Sequence, residues 1–257
     1  MCGRFVSESP PDEIARYFSA VDTTDQALEP SWNVAPTDDI YAIVASGGER
    51  RLDAFRWGLV PRWAKDPAVG NRMINARAES LHRNGAFKPA FARRRCLIPA
   101  TGFYEWRKAA SGQKRKPQPY FIRRSDGDLY AFAGLWETWR RRAPSSEGGR
   151  SQGAGDTLRS ATIITTAPND MLVDLHDRMP AILAPDAWDA WLDPDEDDLE
   201  ALGGLLVPAP PTLTVMHPVA TDVNNVRSNG RHLIDPIAPP GPAFDDDDDD
   251  GAQATLL

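Results

Sequence analysis

The sequence has little of what usually marks a catalytic centre. Of 257 residues, two are cysteine (Cys2 and Cys96) and four are histidine (His82, His176, His217 and His232). Two cysteines build neither a disulfide framework nor a Cys-rich zinc site. The histidines are scattered along the chain, so no metal and no cofactor is expected. There is no Gly-rich phosphate loop with its Lys, and no His-Glu-x-x-His pair. No apolar run approaches the ~20 residues that a membrane-spanning helix needs, so no membrane contact is expected. The N-terminus lacks the basic-then-apolar pattern of a secretion signal. The expected setting is a reducing cytoplasm, and no internal repeat is visible.

Charge is present but segregated. The formal net charge is −8, and the run Asp245–Asp250 accounts for six of those charges. Between Arg50 and Arg142 there are 22 Lys and Arg against 7 Asp and Glu, a local net of +15. Asp186–Glu200 is strongly acidic. Such separation is expected either of a polyanion-binding surface that the overall charge hides or of Arg-rich strands that solvate a sheet face.

The pattern of elements points to an α+β fold. Pro11, Asp12 and Glu13 open a short amphipathic helix over 11–19, with Ile14, Tyr17 and Phe18 on one face. Strands are expected over 39–45 and 51–57 around Ser46-Gly47-Gly48-Glu49, and over 93–99 and 101–106. A second hairpin is expected from 119–124 and 129–137, with further strands over 158–165 and 212–217. Segments 20–38 and 57–63 read as loops. Helices are expected near 77–83, 168–175, 185–192 and 195–202. About eight short strands joined by hairpins imply a single domain of curved, mostly antiparallel β-sheet, barrel- or sandwich-like, with flanking short helices. The domain is expected to span 1–238, with a flexible insertion at 143–157 and a disordered acidic tail at 239–257.

The chemistry sits at the start. If Met1 is removed, Cys2 carries an α-amine and a thiol on adjacent carbons. Their reference pKa values are about 8 and about 8.5. A 1,2-aminothiol condenses with an aldehyde: the amine forms an imine, and the sulfur closes a five-membered ring with large effective molarity. Alone, a Cys at position 2 reads first as an accident of the start codon, and the rest of the chain must decide. Glu105, among aromatics, is either exposed by strand alternation or half-buried with a raised pKa.

Seven segments in order carry a family resemblance: Met1-Cys2-Gly3-Arg4-Phe5, Trp32-Asn33-Val34-Ala35-Pro36, Trp57-Gly58-Leu59-Val60-Pro61, Asn75-Ala76-Arg77-Ala78-Glu79, Cys96-Leu97-Ile98-Pro99-Ala100, Gly102-Phe103-Tyr104-Glu105-Trp106 and His176-Asp177-Arg178-Met179-Pro180. With them the chain resembles the SOS response-associated peptidase (SRAP) family, sensors of abasic sites in single-stranded DNA. The resemblance covers about residues 1–235 and implies several expectations. Cys2 becomes N-terminal and captures the ring-opened abasic sugar as a thiazolidine, a covalent protein–DNA crosslink, with strand cleavage through the imine as a side activity. Asn75, Glu105 and His176 fall on the family's active-site positions. Glu105 moves protons, His176 protonates the sugar ring oxygen, and Asn75 orients the Cys2 backbone or the lesion. Arg4, Asn33 and Arg77 belong to the DNA-binding set, with Trp32, Trp57 and Trp63 as stacking or wedging groups. For each Trp the alternative is core packing. The partner is then single-stranded DNA with abasic sites, bound by a monomer that associates with the nucleoid. Two other readings stand beside this one: a cysteine peptidase using Cys2, Glu105 and His176, and a non-catalytic single-strand-binding module.

Overall fold

Gly47 and Gly48 both take positive φ, +64° and +80°. A turn of that kind matches the twist of two strands and lets them reverse over two residues. The strands it joins are the longest antiparallel pair of the fold, registered from Asp39 opposite Arg56 to Ser46 opposite Glu49. The computed structural model describes residues 2–107, 116–141 and 157–238. The expected acidic tail, and the expected insertion apart from Thr157, lie outside the described residues.

In chain order the strands are β1 (Phe5–Ser7), β2 (Val21–Asp22), β3 (Ser31–Val34), β4 (Asp39–Ser46), β5 (Glu49–Trp57), β6 (Asn75–Arg77), β7 (Arg95–Ala100), β8 (Gly102–Arg107), β9 (Gln118–Arg124), β10 (Tyr130–Arg140), β11 (Thr157–Thr166), β12 (Met179–Pro180) and β13 (Thr214–Pro218). The α-helices are short: α1 (Pro11–Tyr17), α2 (Lys88–Arg93), α3 (Trp188–Leu192) and α4 (Leu199–Gly204). Among the described residues no helix is long and apolar enough to cross a membrane.

Two sheets result. One runs β13-β9-β8-β1-β3 and the other β12-β11-β10-β7-β4-β5-β2. In the second, β11 also pairs with β5, in parallel, through Ser160 opposite Arg56 and Ala161 opposite Trp57. That pairing closes β5, β4, β7, β10 and β11 into a ring. The fold is thus the expected α+β arrangement of curved, mostly antiparallel sheet.

Alternation along the ring strands builds two cores. Ile43, Leu52, Leu97, Ala133, Leu135 and Ile164 pack with the helices. Ala42, Phe55, Trp57, Cys96, Ile98 and Ile163 pack with Phe5, Val34, Phe103 and Ile122 of the first sheet. A third cluster of Val6, Tyr104, Phe121, Val219, Val223 and Leu233 covers that sheet's other side.

Several local expectations fail for tertiary reasons. Residues 31–34 are a strand, because β1 recruits them. No α-helix forms over 77–83: Asn75–Arg77 is held extended against β11, and a single 3-10 turn follows. Residues 168–175 form successive turns rather than a helix. Asn169 starts them by accepting the Leu172 N–H on its side chain, a local alternative to helical bonding. The strands β9 and β10 are not a hairpin. One pairs β8 and β13, the other β7 and β11, so the 125–128 turn carries the chain from one sheet to the other.

Arg95 joins the helices to the ring. It is 2% exposed, and its guanidinium donates to carbonyls at both helix ends beside it: Phe91 and Ala92 at 2.8 Å, Trp191 at 2.7 Å, and those of Asp193 and Glu196. The last carbonyls of a helix have no partner within it, and here one cation serves two helices. Trp191 returns a bond from its indole N–H to the Cys96 carbonyl at 2.9 Å. Arg95→Leu strands these carbonyls in a dry site and is expected to cost at least ~3 kcal/mol. The urea midpoint checks it, and an unchanged midpoint would show the cluster to be energetically idle.

Candidate active site

Cys2 is fully buried, packed in the core between the two sheets. Its backbone is pinned from the ring side: Asn75 Nδ2 donates to the Cys2 carbonyl at 2.8 Å. Asn75 reaches it because β6 lies parallel to β11, with Asn75 opposite Ile163. The approach to β6 is itself tight. Gly58 sits at φ +122°, and a Cβ there would lie 2.5 Å from the Gly70 carbonyl oxygen. Only glycine fits that crossing.

Glu105 comes from the opposite sheet. On β8 it alternates with Tyr104 and Trp106, which belong to the outer cluster. Its side chain therefore points inward, and it is 3% exposed. Burial pushes its carboxyl up from 4.5 to about 7; the amino-terminal charge pulls the other way, and Asp177 adds to the rise. Of the two readings open from sequence, the buried one holds.

The Cys2 thiol is also pushed well up, first by burial and then by the Glu105 charge, against the pull of the amino-terminal charge and the Arg4 backbone N–H. Both effects disfavour the thiolate relative to the reference thiol.

His176 closes the group. Its Nε2 lies 4.0 Å from Glu105 Oε2. Its Nδ1 accepts the Arg178 backbone N–H at 3.0 Å, and Asp177 Oδ1 lies 2.9 Å from the same nitrogen. One nitrogen cannot accept from the first and donate to the second. The Arg178 N–H is fixed by the backbone, whereas the Asp177 side chain is 88% exposed and turns easily to water. Nδ1 is therefore the acceptor, and the neutral ring carries its proton on Nε2, toward Glu105. The loop is clamped by Arg178, which binds Glu79 in a bidentate pair at 2.8 and 3.0 Å and also the Thr165 carbonyl. That contact holds the Glu79 carboxyl below its usual range.

The structure thus brings Cys2, Asn75, Glu105 and His176 together, but it separates the expected DNA-binding residues. Trp57 is fully buried, its indole N–H donating to the Ile74 carbonyl at 2.9 Å and its ring edge-on to Phe5 at 5.2 Å. It is a core residue and has no face for a base. Asn33 is 3% exposed, with its amide committed to the Val223, Asn225 and Ser228 carbonyls. It cannot touch a ligand directly. Arg4 donates to Asn33 Oδ1 at 2.7 Å and the Val223 carbonyl at 2.8 Å. Trp32 is half-buried and gives its indole N–H to Glu8 at 2.8 Å. Trp63, 59% exposed, and Arg77 are open to solvent. Sequence reading gave no part to Glu79 as the anchor of Arg178, because two residues 99 positions apart carry no periodic signal of their meeting.

The model of the family described as SOS response associated peptidase (SRAP) matches residues 1–226. Abasic site processing protein YoaM of Bacillus subtilis is 40% identical over 236 residues, covering 91% of this chain and 98% of that one. Abasic site processing protein YedK of Escherichia coli is 30% identical, covering 92% and 100%. A crystal structure of a protein from Bacteroides thetaiotaomicron has the same fold, with a TM-score of 0.78 at 22% identity over 92% of this chain and all of that one. With most of its length matched by the family model, and with relatives aligned over nearly their whole length, the chain belongs to the SRAP family.

Proposed function

We propose that this protein processes abasic sites in single-stranded DNA, and that it captures them covalently through Cys2 after loss of Met1. The observation that carries the reading is the pinned Cys2 backbone beside an inward-facing carboxyl with a pKa of about 7. The names of the relatives, abasic site processing proteins, supply the substrate.

The chemistry follows from the groups present. A ring-opened abasic sugar presents an aldehyde at C1′. The Cys2 amine adds to it, and water leaves as the imine forms. The thiol then adds to the imine carbon, and its proton passes to a base. The product is a thiazolidine, and one water is lost overall. Glu105 suits both proton transfers. Near neutral pH its carboxyl is populated in both forms, so it donates as water departs and accepts as sulfur attacks. His176, with its proton on Nε2, donates to the sugar ring oxygen during ring opening. Asn75 holds the Cys2 carbonyl so that amine and thiol face one point. An imine left open acidifies the neighbouring C2′ protons and allows strand cleavage, so ring closure by sulfur protects the strand.

Intact-mass measurement before and after exposure to an abasic-site oligonucleotide tests this reading. The expected result is a chain without Met1 that gains one oligonucleotide less one water. An adduct that survives Cys2→Ala, or that forms on chains retaining Met1, would remove Cys2 from the chemistry.

Glu105 gives a second prediction. Its carboxyl is raised in the folded protein, so the folded state binds the proton more tightly than the unfolded chain. Its contribution to stability is complete below about pH 4.5 and is lost as pH rises through about 7. Glu105→Gln should therefore gain stability relative to the parent across that window, while its crosslinking slows ~100-fold. Melting temperatures of the two proteins that stay parallel from pH 4.5 to 8 would contradict the raised carboxyl.

A further inference from the structure

We infer that residues 223–229, on the outer face of the first sheet and across β1 and β8 from the site, form a preorganised DNA-contact element, and that Asn33 and Arg4 are positioning residues acting through it. The inference rests on the covalent reading of Cys2.

The segment is held unusually firmly for a surface loop. The Asn33 amide donates to Val223, Asn225 and Ser228 at 3.3, 3.0 and 2.9 Å. Arg4 orients that amide through its oxygen and also binds the Val223 carbonyl. From the neighbouring strands, Trp106 donates its indole N–H to Asn224 Oδ1 at 2.7 Å, and the Trp32 backbone N–H donates to Asn229 Oδ1 at 2.8 Å. Val223 anchors the start of the segment in the outer cluster. A buried amide that serves three carbonyls of one loop fixes that loop's shape.

What the loop displays does not serve the fold. Val226 is 57% exposed, and Arg227 beside it is exposed with no ion pair among the described residues. A rigid apolar tip next to an unpaired guanidinium suits a strand that offers both phosphates and unstacked bases. Arg227 answers a phosphate, and Val226 lies against a sugar or a base face. Arg4, two residues from Cys2 and at most ~7 Å away along the chain, links the site to this loop on the other face of the sheet, where its side chain binds the Val223 carbonyl. Ordering the loop in advance leaves less entropy to lose on binding. On this inference Asn33, too buried to meet DNA itself, acts on binding through the loop it shapes.

The test separates capture of DNA from reactivity of the aminothiol. Each protein is given an abasic-site oligonucleotide and, separately, free 2-deoxyribose, an aldehyde source without phosphates or bases. For Arg227→Ala and Val226→Ser the second-order rate of oligonucleotide capture should fall about tenfold, and for Arg227→Ala the dependence on log salt should lose about one unit of slope. The rate with deoxyribose should stay within about twofold of the parent, a spread set by ordinary surface effects. Asn33→Ala should show the same split. Combined with Arg227→Ala it should add less than the product of the two losses, because both act through one element. Unchanged oligonucleotide capture in Arg227→Ala and Val226→Ser would overturn the inference even if Asn33→Ala fails to fold. Equal losses on both substrates in Asn33→Ala would reduce Asn33 to a stability residue. A parent protein that forms an adduct with neither substrate would instead remove the Cys2 reading, and this inference with it.

Discussion

The strand β11 is the constraint on which the site depends. It pairs with β10 along most of its length, with β12 at its end, and with β5 and β6 in parallel. The β5 contact closes the ring. The β6 contact places Asn75 where its amide meets the Cys2 carbonyl. The β12 contact returns the chain just after His176, and the Thr165 carbonyl on β11 receives the Arg178 guanidinium. Three of the four central residues are thus set by one strand. The fourth, Glu105, comes from β8 in the facing sheet. Cys2 lies between the two sheets, where a shift of either would part the four groups.

That position is buried, and burial sets its electrostatics. The same loss of solvent raises the Glu105 carboxyl and the Cys2 thiol. The effect disfavours both charged forms: it brings the carboxyl to about 7 and pushes the thiol further up. A carboxyl titrating near neutrality is useful in such a place because it gives and takes a proton at one pH. The loop carrying His176 cannot rely on a helix for its shape, since residues 168–175 are only turns. The Glu79–Arg178 pair supplies the missing rigidity.

The arginines qualify the reading of charge. The +15 between Arg50 and Arg142 left open either a polyanion-binding surface or Arg-rich strands that solvate a sheet face. In the folded chain many of those cations are already engaged. Arg95 is buried on helix carbonyls, Arg62 and Arg94 share Glu137, Arg50 meets Asp189, and Arg56 donates to Asn71. A count of charges cannot tell a committed guanidinium from an open one. The cations left open, such as Arg77 and Arg227, lie apart in sequence, and only folding decides which of them stand near Cys2.

The sequence by itself determined the α+β class, the Gly47-Gly48 hairpin, most of the longer strands and the seven segments that place the chain in its family. These follow from local rules: alternation, turn chemistry and fixed short motifs. The tertiary structure decided the rest. It sent β9 and β10 to different sheets, made Ser31–Val34 a strand, buried Trp57 and turned Asn33 from a surface contact into a loop anchor. It also chose the buried alternative for Glu105 and pushed the Cys2 thiol up by burial. Each of these depends on which groups lose water and which distant partners they meet. Residues such as Asn75 and Cys2, 73 positions apart, carry no local mark of that meeting.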